Sequence, residues 1–328
     1  MGDVAMTVPV LRVFAQTYPD VALTIISKPA FQPLFNDIEN LHFLEADVYG
    51  KHKGFGLLKL AKEAKNSKVT AVADLHNVIR SKTITGYLSL YGIKTATMDK
   101  GRSEKKALTN NPSELRKLKT THQRYADVFE ALGFPLNLQE HAFPKKKELT
   151  PQLHELIGKH TKKMIGIAPF AAYKSKMYPL EMMQEVIFSL NKDNRYKIFL
   201  FGGGKKEKEV LNQWEVEFEN ATSLAGKYNL ATELNLISNL DLMLAMDSSN
   251  GHLAALYDVP VLTLWGVTHP YAGFMPFNQP DKNQLVANRD AYPLIPTSVY
   301  GNKFPEGYED AMQSISVETV LKKISEII

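Results

Sequence analysis

The second half of the chain alternates short apolar runs with amphipathic stretches. Continuous apolar runs of strand length stand at Lys163–Ala168, Lys197–Phe201, Leu240–Met246 and Val259–Leu264. Stretches with helical spacing of apolar residues, such as Leu180–Leu190, lie between them. Strands without polar alternation are typical of parallel sheets that helices cover on both faces. The pattern therefore predicts the α/β fold class.

The first half shows the same pattern more weakly. Val21–Ile26 and Val69–Leu75 are predicted strands, and Leu57–Asn66 is a predicted helix with apolar residues on one face and lysines on the other. A second strand-and-helix set of this kind points to a second unit of the same class, because a domain averages about 150 residues and the chain has 328.

The domain boundary is predicted in a stretch rich in proline and lysine, Pro135–Pro151. We therefore expect an N-terminal domain over 1–150 and a C-terminal domain over 151–328. The last segment, 314–328, has the spacing of an amphipathic helix. We expect this helix to be able to pack back on the N-terminal domain.

Composition excludes several classes of protein. The net charge is only +4, which is no footprint of a nucleic-acid-binding protein. Cysteine is absent, so disulfides, thiolate zinc sites and a cysteine nucleophile are all excluded. There is no apolar run of 18 residues and no signal-peptide pattern at Met1. We expect a cytoplasmic enzyme or binding protein.

Polar and charged residues cluster where predicted strands end, the usual position of ligand sites in α/β sheets. Asp3 precedes an apolar helical run, and its position alone favours helix capping over a role in a binding site. Lys174 and Lys176 follow the strand 163–168 and suit a phosphate, although a plain surface loop explains them too. The turn 202–204 is three glycines but lacks the dinucleotide and P-loop patterns, so no nicotinamide cofactor is predicted.

The most informative cluster is a polar block between two apolar elements. It follows the strand 240–246 and consists of Asp247, Ser248, Ser249, Asn250, Gly251 and His252. Side chains there can donate to phosphate and accept from sugar hydroxyls at the start of a helix. A second polar loop, containing Thr268, follows the next predicted strand. We expect both loops to line one crevice.

Taken in order, these residues resemble a known family. The chain carries GDVxxxxP at residue 2, KMYP at 176, LAGK at 224, DSSNGHLAA at 247 and GVTHP at 266. This ordered set is similar to glycosyltransferase family 9, whose best-known members are the ADP-heptose:lipopolysaccharide heptosyltransferases. The resemblance covers nearly the whole chain.

The resemblance implies a GT-B architecture, in which two Rossmann-like domains with parallel sheets face each other across a cleft. It implies inverting, metal-independent transfer of a sugar, heptose from ADP-heptose, to a lipopolysaccharide core or related surface glycan. No cofactor is implied. The acceptor would be a glycan or lipid-linked, which leaves peripheral contact with the inner face of the membrane open.

The resemblance also implies roles for individual residues. Asp3 would be the general base that deprotonates the acceptor hydroxyl. Asp74, His76 and Arg80 match an element that would face the acceptor. The donor-binding candidates are Lys176, Tyr178, Asp247, Ser248, Ser249, Asn250, Gly251, His252 and Thr268.

The chain departs from the family pattern at several positions. Ser249 replaces a glycine, Val267 a proline and His269 an aspartate. The segment Pro296–Met312 resembles a tail in which relatives carry cysteines around an SVYGNK core, and this chain has none there.

The family's GD motif follows the first strand of its N-terminal domain, but here it begins at Gly2. We therefore expect that strand to be missing, and about ten mostly apolar residues to be encoded upstream.

Two other functions stay open. One is a catalytically silent nucleotide-sugar or glycan-binding protein on the same scaffold, because fold alone does not fix function. The other is a sugar-nucleotide epimerase, which would need further acid and base groups facing the donor sugar.

Overall fold

The computed structural model describes residues 1–159 and 161–328 and confirms the α/β class. The helices are α1 (Gly2–Thr17), α2 (Gly56–Asn66), α3 (Ile79–Ser89), α4 (Arg102–Asn110), α5 (Thr121–Leu132), α6 (Pro151–Ile157), α7 (Leu180–Lys192), α8 (Lys205–Glu217), α9 (Leu230–Ile237), α10 (Ser249–Ala255) and α11 (Val317–Ile327). The strands are β1 (Leu23–Ser27), β2 (Leu41–Glu45), β3 (Ala71–Asp74), β4 (Lys94–Thr97), β5 (Lys163–Ala168), β6 (Tyr196–Leu200), β7 (Ala221–Ser223), β8 (Leu242–Met246), β9 (Val261–Trp265) and β10 (Gln284–Val286). None of the described helices is long and apolar enough to cross a membrane.

The chain divides into two compact units. The N-terminal unit holds Met1, Asp3–Arg102 and Lys119–Ala142, and the C-terminal unit holds Gly2, Ser103–Leu118 and Phe143–Ile328. The division after Ala142 lies inside the stretch predicted as a linker, eight residues before the predicted boundary at 150.

The segment Ser103–Leu118 was predicted in the N-terminal domain, but it belongs to the C-terminal unit. The Leu118 amide donates to the Tyr271 carbonyl at 2.9 Å, and Lys117 forms a 2.7 Å ion pair with Asp281. These partners lie far along the chain, which is why the local pattern does not reveal them.

The C-terminal unit is built on one six-stranded parallel sheet. Its strand order is β10-β9-β8-β5-β6-β7. All residues of β8 and β9 are buried, as expected for strands with helices on both faces. Side chains of α7, α8 and α11 complete the core, including Met183, Trp214 and Ile324.

The last helix contributes to the core of the C-terminal unit. α11 packs against α7, and its Val320 and Ile324 are fully buried in the core of the C-terminal unit. Packing of this helix on the N-terminal domain stays a prediction. Its amphipathic stripe is satisfied within its own unit, and the Ser316 hydroxyl caps its start by accepting from the Thr319 amide.

The N-terminal unit has two separate parallel pairs, β1-β2 and β3-β4. Among the described residues, β1 and β3 thus each pair along one edge only. Much of the unit's packing comes from helices, with Phe14 of α1 meeting Phe129 of α5 at 4.8 Å between ring centroids. The expected upstream residues stay a prediction.

Candidate functional site

The sheet of the C-terminal unit changes direction beside β5. From β5 the chain goes to β6 and β7 on one side, and it returns to β8, β9 and β10 on the other. In open parallel sheets this switch point leaves a crevice outside the carboxyl ends of the strands, where ligands bind. The loops that follow β5, β8 and β9 carry Lys176, Asp247 and Thr268.

These three side chains meet on one carboxylate oxygen. Lys176 Nζ lies 2.7 Å from Asp247 Oδ2, and Thr268 Oγ1 donates to the same oxygen at 3.1 Å. The lysine side chain is 13% exposed and that of the aspartate 9%, so the ion pair is largely removed from water. Such charge-assisted bonds are stronger than those between neutral groups. The predicted convergence of the loops after β8 and β9 is confirmed for Asp247 and Thr268.

The start of α10 offers further polar groups. Ser248 occupies the N-cap position, yet its side chain makes no capping bond. Its Oγ is a buried atom without a hydrogen-bond partner among the described residues. Ser249 and Asn250 follow in the first turn and are half-buried. The Ser248 hydroxyl therefore has no hydrogen-bond partner among the described residues although it lies at the start of a helix.

Three of the predicted donor contacts lie in the protein interior. Tyr178 is fully buried, and its hydroxyl donates to the Ile315 carbonyl at 2.6 Å. Burial raises the pKa of this phenol above its usual range. Gly251 lies where a Cβ would approach Val261 and Pro276, and His252 is buried within α10. These three residues therefore pack in the interior beneath the polar loops.

Two departures from the family pattern are also buried. Val267 packs with Ala287, Ile295 and Ala311. His269 accepts the Tyr271 amide at Nδ1, at 3.1 Å, so it caps the turn that follows β9. Burial, aided by the charge of Arg289, lowers the pKa of His269 to about 4. Both replacements thus support the loop that carries Thr268.

The glycine turn after β6 is held by its own helix. The Gly203 amide donates to Glu207 Oε2 at 2.7 Å, and Gly204 stands at the N-cap of α8 with φ 79°. The Gly203 amide is therefore already bonded to a side chain of α8.

In the N-terminal unit, Asp3 lies in the first turn of α1. The N-cap is Met1, so capping does not account for the aspartate. Its side chain is exposed, and the Tyr125 hydroxyl donates to its backbone carbonyl at 3.4 Å. Burial, together with the Asp3 charge, raises the pKa of Tyr125. The carboxylate is therefore accessible to a substrate.

Asp74 shapes the loop that joins β3 to α3. The buried carboxylate accepts the amides of His76 and Asn77 at 3.0 and 2.8 Å, and the Ser81 hydroxyl at 3.0 Å. It is 4% exposed. The Asp74 carboxylate therefore positions the backbone at His76 from inside the loop, and the acceptor-facing role of this element stays a prediction.

His76 and Arg80 lie among charges that follow other strands of this unit. Burial lowers the pKa of His76, opposed by the charge of Asp3 and reinforced by Lys100. Lys28 Nζ donates to the Tyr49 hydroxyl at 3.3 Å. Lys28 and, to a smaller extent, Arg80 lower the pKa of the Tyr49 phenol.

Sequence reasoning missed three members of this group. Lys28, Tyr49 and Lys100 follow β1, β2 and β4 by one to four residues. The signal that could have found them is their place after a strand, but β2 and β4 were not predicted.

Comparison with known proteins now decides the family. Residues 57–302 match the model of glycosyltransferase family 9 (heptosyltransferase), which is three quarters of the chain. The chain belongs to glycosyltransferase family 9. As a member of that family, the protein is a glycosyltransferase, as predicted from the ordered motifs.

Individual relatives are distant but cover most of the chain. The lipopolysaccharide core heptosyltransferase OpsX of Haemophilus influenzae is 26% identical over 299 residues, which is 89% of this chain and 83% of the relative. A family 9 structure from Veillonella parvula superposes with a TM-score of 0.75 at 19% identity, covering 100% of this chain and 94% of its own. The Escherichia coli ADP-heptose heptosyltransferase II gives 0.69 at 17% identity, covering 99% and 95%. These likenesses support the GT-B type of fold for this family 9 chain.

Proposed function

We propose that this family 9 enzyme transfers heptose from ADP-heptose to a lipopolysaccharide core or a related surface glycan, with inversion and without a metal. The observation that carries the proposal is the buried contact of Lys176, Asp247 and Thr268 at the sheet's switch point. Two of the relatives named above, from Haemophilus influenzae and Escherichia coli, are heptosyltransferases, which favours heptose as the sugar.

On the donor side, Lys176 would neutralise the leaving diphosphate. An ammonium has three N–H donors, and one is directed at Asp247. The remaining two can reach phosphate oxygens, while the Ser248 hydroxyl and the half-buried Ser249 and Asn250 bind the diphosphate or sugar. Thr268 would act through Asp247 by fixing its carboxylate. A preorganised cation of this kind stabilises charge that develops on the leaving group.

Asp3 would be the general base. The acceptor hydroxyl gives its proton to the Asp3 carboxylate while its oxygen forms a bond to the anomeric carbon. The bond from that carbon to the phosphate oxygen breaks with its electron pair, and ADP leaves from the opposite face, which inverts the centre. The accessible carboxylate of Asp3 supports this role.

The acceptor would be anionic. Lys28, Arg80 and Lys100 place positive charge after three strands of the unit that carries Asp3. Phosphate or carboxylate groups of a lipopolysaccharide core would match them. A lipid-linked acceptor would place the enzyme in the cytoplasm at the inner face of the membrane, in peripheral contact with it.

A donor panel tests the proposal. The protein is incubated with ADP-heptose and with GDP-, UDP- and CMP-sugars, with and without lipopolysaccharide core acceptors, in buffer containing a chelator. We expect ADP release only with ADP-heptose and acceptor together, at a rate that the chelator leaves unchanged. Binding without turnover across the acceptors would instead support a silent scaffold, and a changed donor sugar without transfer would support an epimerase.

A further inference from the structure

The Lys176 side chain is enclosed by a loop that follows it by more than a hundred residues. Gly301 is buried with φ 80°, and a Cβ built on it would lie 2.5 Å from both Cγ and Cδ of Lys176. That distance is far inside van der Waals contact. A residue with a side chain at position 301 would therefore push the lysine stem away from its present path.

The same loop is bonded to the residue before the lysine. The Ser175 hydroxyl donates to the Gly301 carbonyl, and Ser175 is 4% exposed. On the other side, the Val267 amide donates to the Ser175 carbonyl at 3.4 Å, and a Cβ on Gly266 would overlap that carbonyl. The turn that carries Lys176 is thus held between the loop after β9 and the loop around Gly301.

The loop around Gly301 is itself fixed by hydrogen bonds. The Ser298 hydroxyl accepts the amides of Tyr300 and Gly301 at 3.3 and 3.0 Å and donates to Asn302 Oδ1 at 2.9 Å. The Thr297 amide donates to the Val267 carbonyl at 3.0 Å, which joins this loop to the one after β9. The backbone at Gly301 therefore has little freedom to retreat from an added side chain.

We propose that the turn Ser298–Asn302 is a positioning element that holds Lys176 on Asp247, and that Gly301 is a positioning residue for donor binding. A long flexible lysine loses rotamer freedom when it is held in one place, and prior confinement of its stem removes that cost from the binding step. The donor-binding part rests on the proposed function, whereas the contact between Gly301 and Lys176 does not.

The chain provides a matched control in the same tail. Gly307 has φ 82°, nearly the angle of Gly301, but a Cβ there meets no atom within 4 Å. Gly301→Ala and Gly307→Ala therefore impose the same kind of backbone strain, and only the first crowds the lysine.

The test is a double-mutant cycle with Lys176→Ala, whose side chain lacks Cγ and Cδ. We expect Gly301→Ala to lower kcat/KM for the donor about 10- to 100-fold and Gly307→Ala to change it less than about twofold. In the Lys176→Ala background, Gly301→Ala should add less than about twofold. Equal effects of the two glycine variants, or an undiminished effect of Gly301→Ala without the lysine, would overturn the proposal.

A double-mutant cycle of Tm values tests the contact between Gly301 and Lys176 without substrate. The excess loss of Tm in Gly301→Ala over Gly307→Ala should disappear in the Lys176→Ala background, and its persistence would overturn the proposal. Should Lys176→Ala alone leave transfer unchanged, the donor role in the proposed function fails, and the thermal cycle still decides on the contact.

If Gly301→Ala does not fold, Ser175→Ala replaces it in the kinetic cycle, because it removes the bond to the Gly301 carbonyl without adding atoms. We expect Ser175→Ala to lower kcat/KM for the donor about 2- to 10-fold, and this effect should be absent in the Lys176→Ala background. The same fall in kcat/KM for Ser175→Ala in the Lys176→Ala background would contradict the proposal.

Discussion

The two units of this glycosyltransferase build parallel strands of similar length but bury them to different degrees. In the C-terminal unit every residue of β8 and β9 is buried within a six-stranded sheet. In the N-terminal unit the strands pair two by two, and all five residues of β1 are only half-buried.

This difference shows which interactions stabilise each unit and which kind of binding site each unit can support. A continuous sheet with both faces covered is a rigid platform, and its loops can fix an ion pair such as Lys176 with Asp247. A unit with two short strand pairs relies more on helix packing, as in the contact of Phe14 with Phe129. Arg80, which follows β3, is exposed, whereas the Lys176 side chain is only 13% exposed.

The largest expected difference concerns the strands themselves. Leu244→Ala in β8 should lower the free energy of unfolding by about 2–5 kcal/mol, because it leaves a cavity in a fully buried core. Ile25→Ala in half-buried β1 should cost about 1 kcal/mol. Both tryptophans, Trp214 and Trp265, lie in the C-terminal unit, so their fluorescence in urea reports its unfolding. Amide exchange reports the N-terminal unit, and equal losses would contradict the comparison.

Donor affinity should depend on one unit only. Lys176→Gln should weaken ADP binding about 10- to 100-fold, since a charge-assisted bond contributes about 1.5–3 kcal/mol. The control is Lys174→Gln, an exposed lysine of the same loop, which should change the affinity less than about twofold. Arg80→Gln in the N-terminal unit should leave ADP affinity unchanged. Calorimetric titration measures all three, and weaker binding in Arg80→Gln would break the assignment.

Acid should destabilise each unit through one histidine, which is buried in the C-terminal unit (His269) and half-buried in the N-terminal unit (His141). Burial lowers the pKa of both His269 and His141 to about 4. The unfolded chain takes up a proton near pH 6.5, so stability is full above that pH and falls as the pH drops toward about 4.

His269→Asn keeps an acceptor for the Tyr271 amide and removes the titration. The variant should flatten the tryptophan-reported pH curve between pH 6.5 and 4 by about 1–3 kcal/mol. His141→Asn, in the N-terminal unit, should leave that curve unchanged. An unaltered curve in His269→Asn would refute the assignment.

The smallest effect concerns helix caps, one in each unit. Thr120 caps α5 by accepting from the Gln123 amide, and Ser316 caps α11 in the same way from Thr319. Replacing either by alanine should cost about 1 kcal/mol. Only Ser316→Ala should shift the urea midpoint of tryptophan fluorescence; a shift of equal size in Thr120→Ala would mean that the units unfold together.

The contrast between the units also explains which elements the sequence predicts. β5 has its predicted bounds, Lys163–Ala168, because a buried parallel strand is a continuous apolar run. β4 is Lys94–Thr97 and carries no such run, so nothing distinguishes it from a loop. α3, Ile79–Ser89, has no apolar stripe and was missed for the same reason.

The residues of the candidate site likewise divide into those that the sequence predicts and those that it does not. Asp247 and Thr268 follow predicted strands, and their convergence could be predicted from parallel topology alone. The packing of Gly301 against Lys176 joins residues 125 positions apart, and no local pattern contains it. The burial of Tyr178 likewise depends on tertiary packing that no local pattern contains. From the sequence alone, an aromatic residue beside a lysine in a loop resembles a ligand contact.

We propose that the C-terminal unit binds the donor while Asp3 of the N-terminal unit supplies the base. Asp3→Asn tests it most directly, with Asp20→Asn as a surface control and both ADP affinity and transfer rate measured. The account predicts a transfer rate lowered about 10²- to 10⁴-fold with unchanged ADP affinity. Near-normal turnover by Asp3→Asn would contradict it.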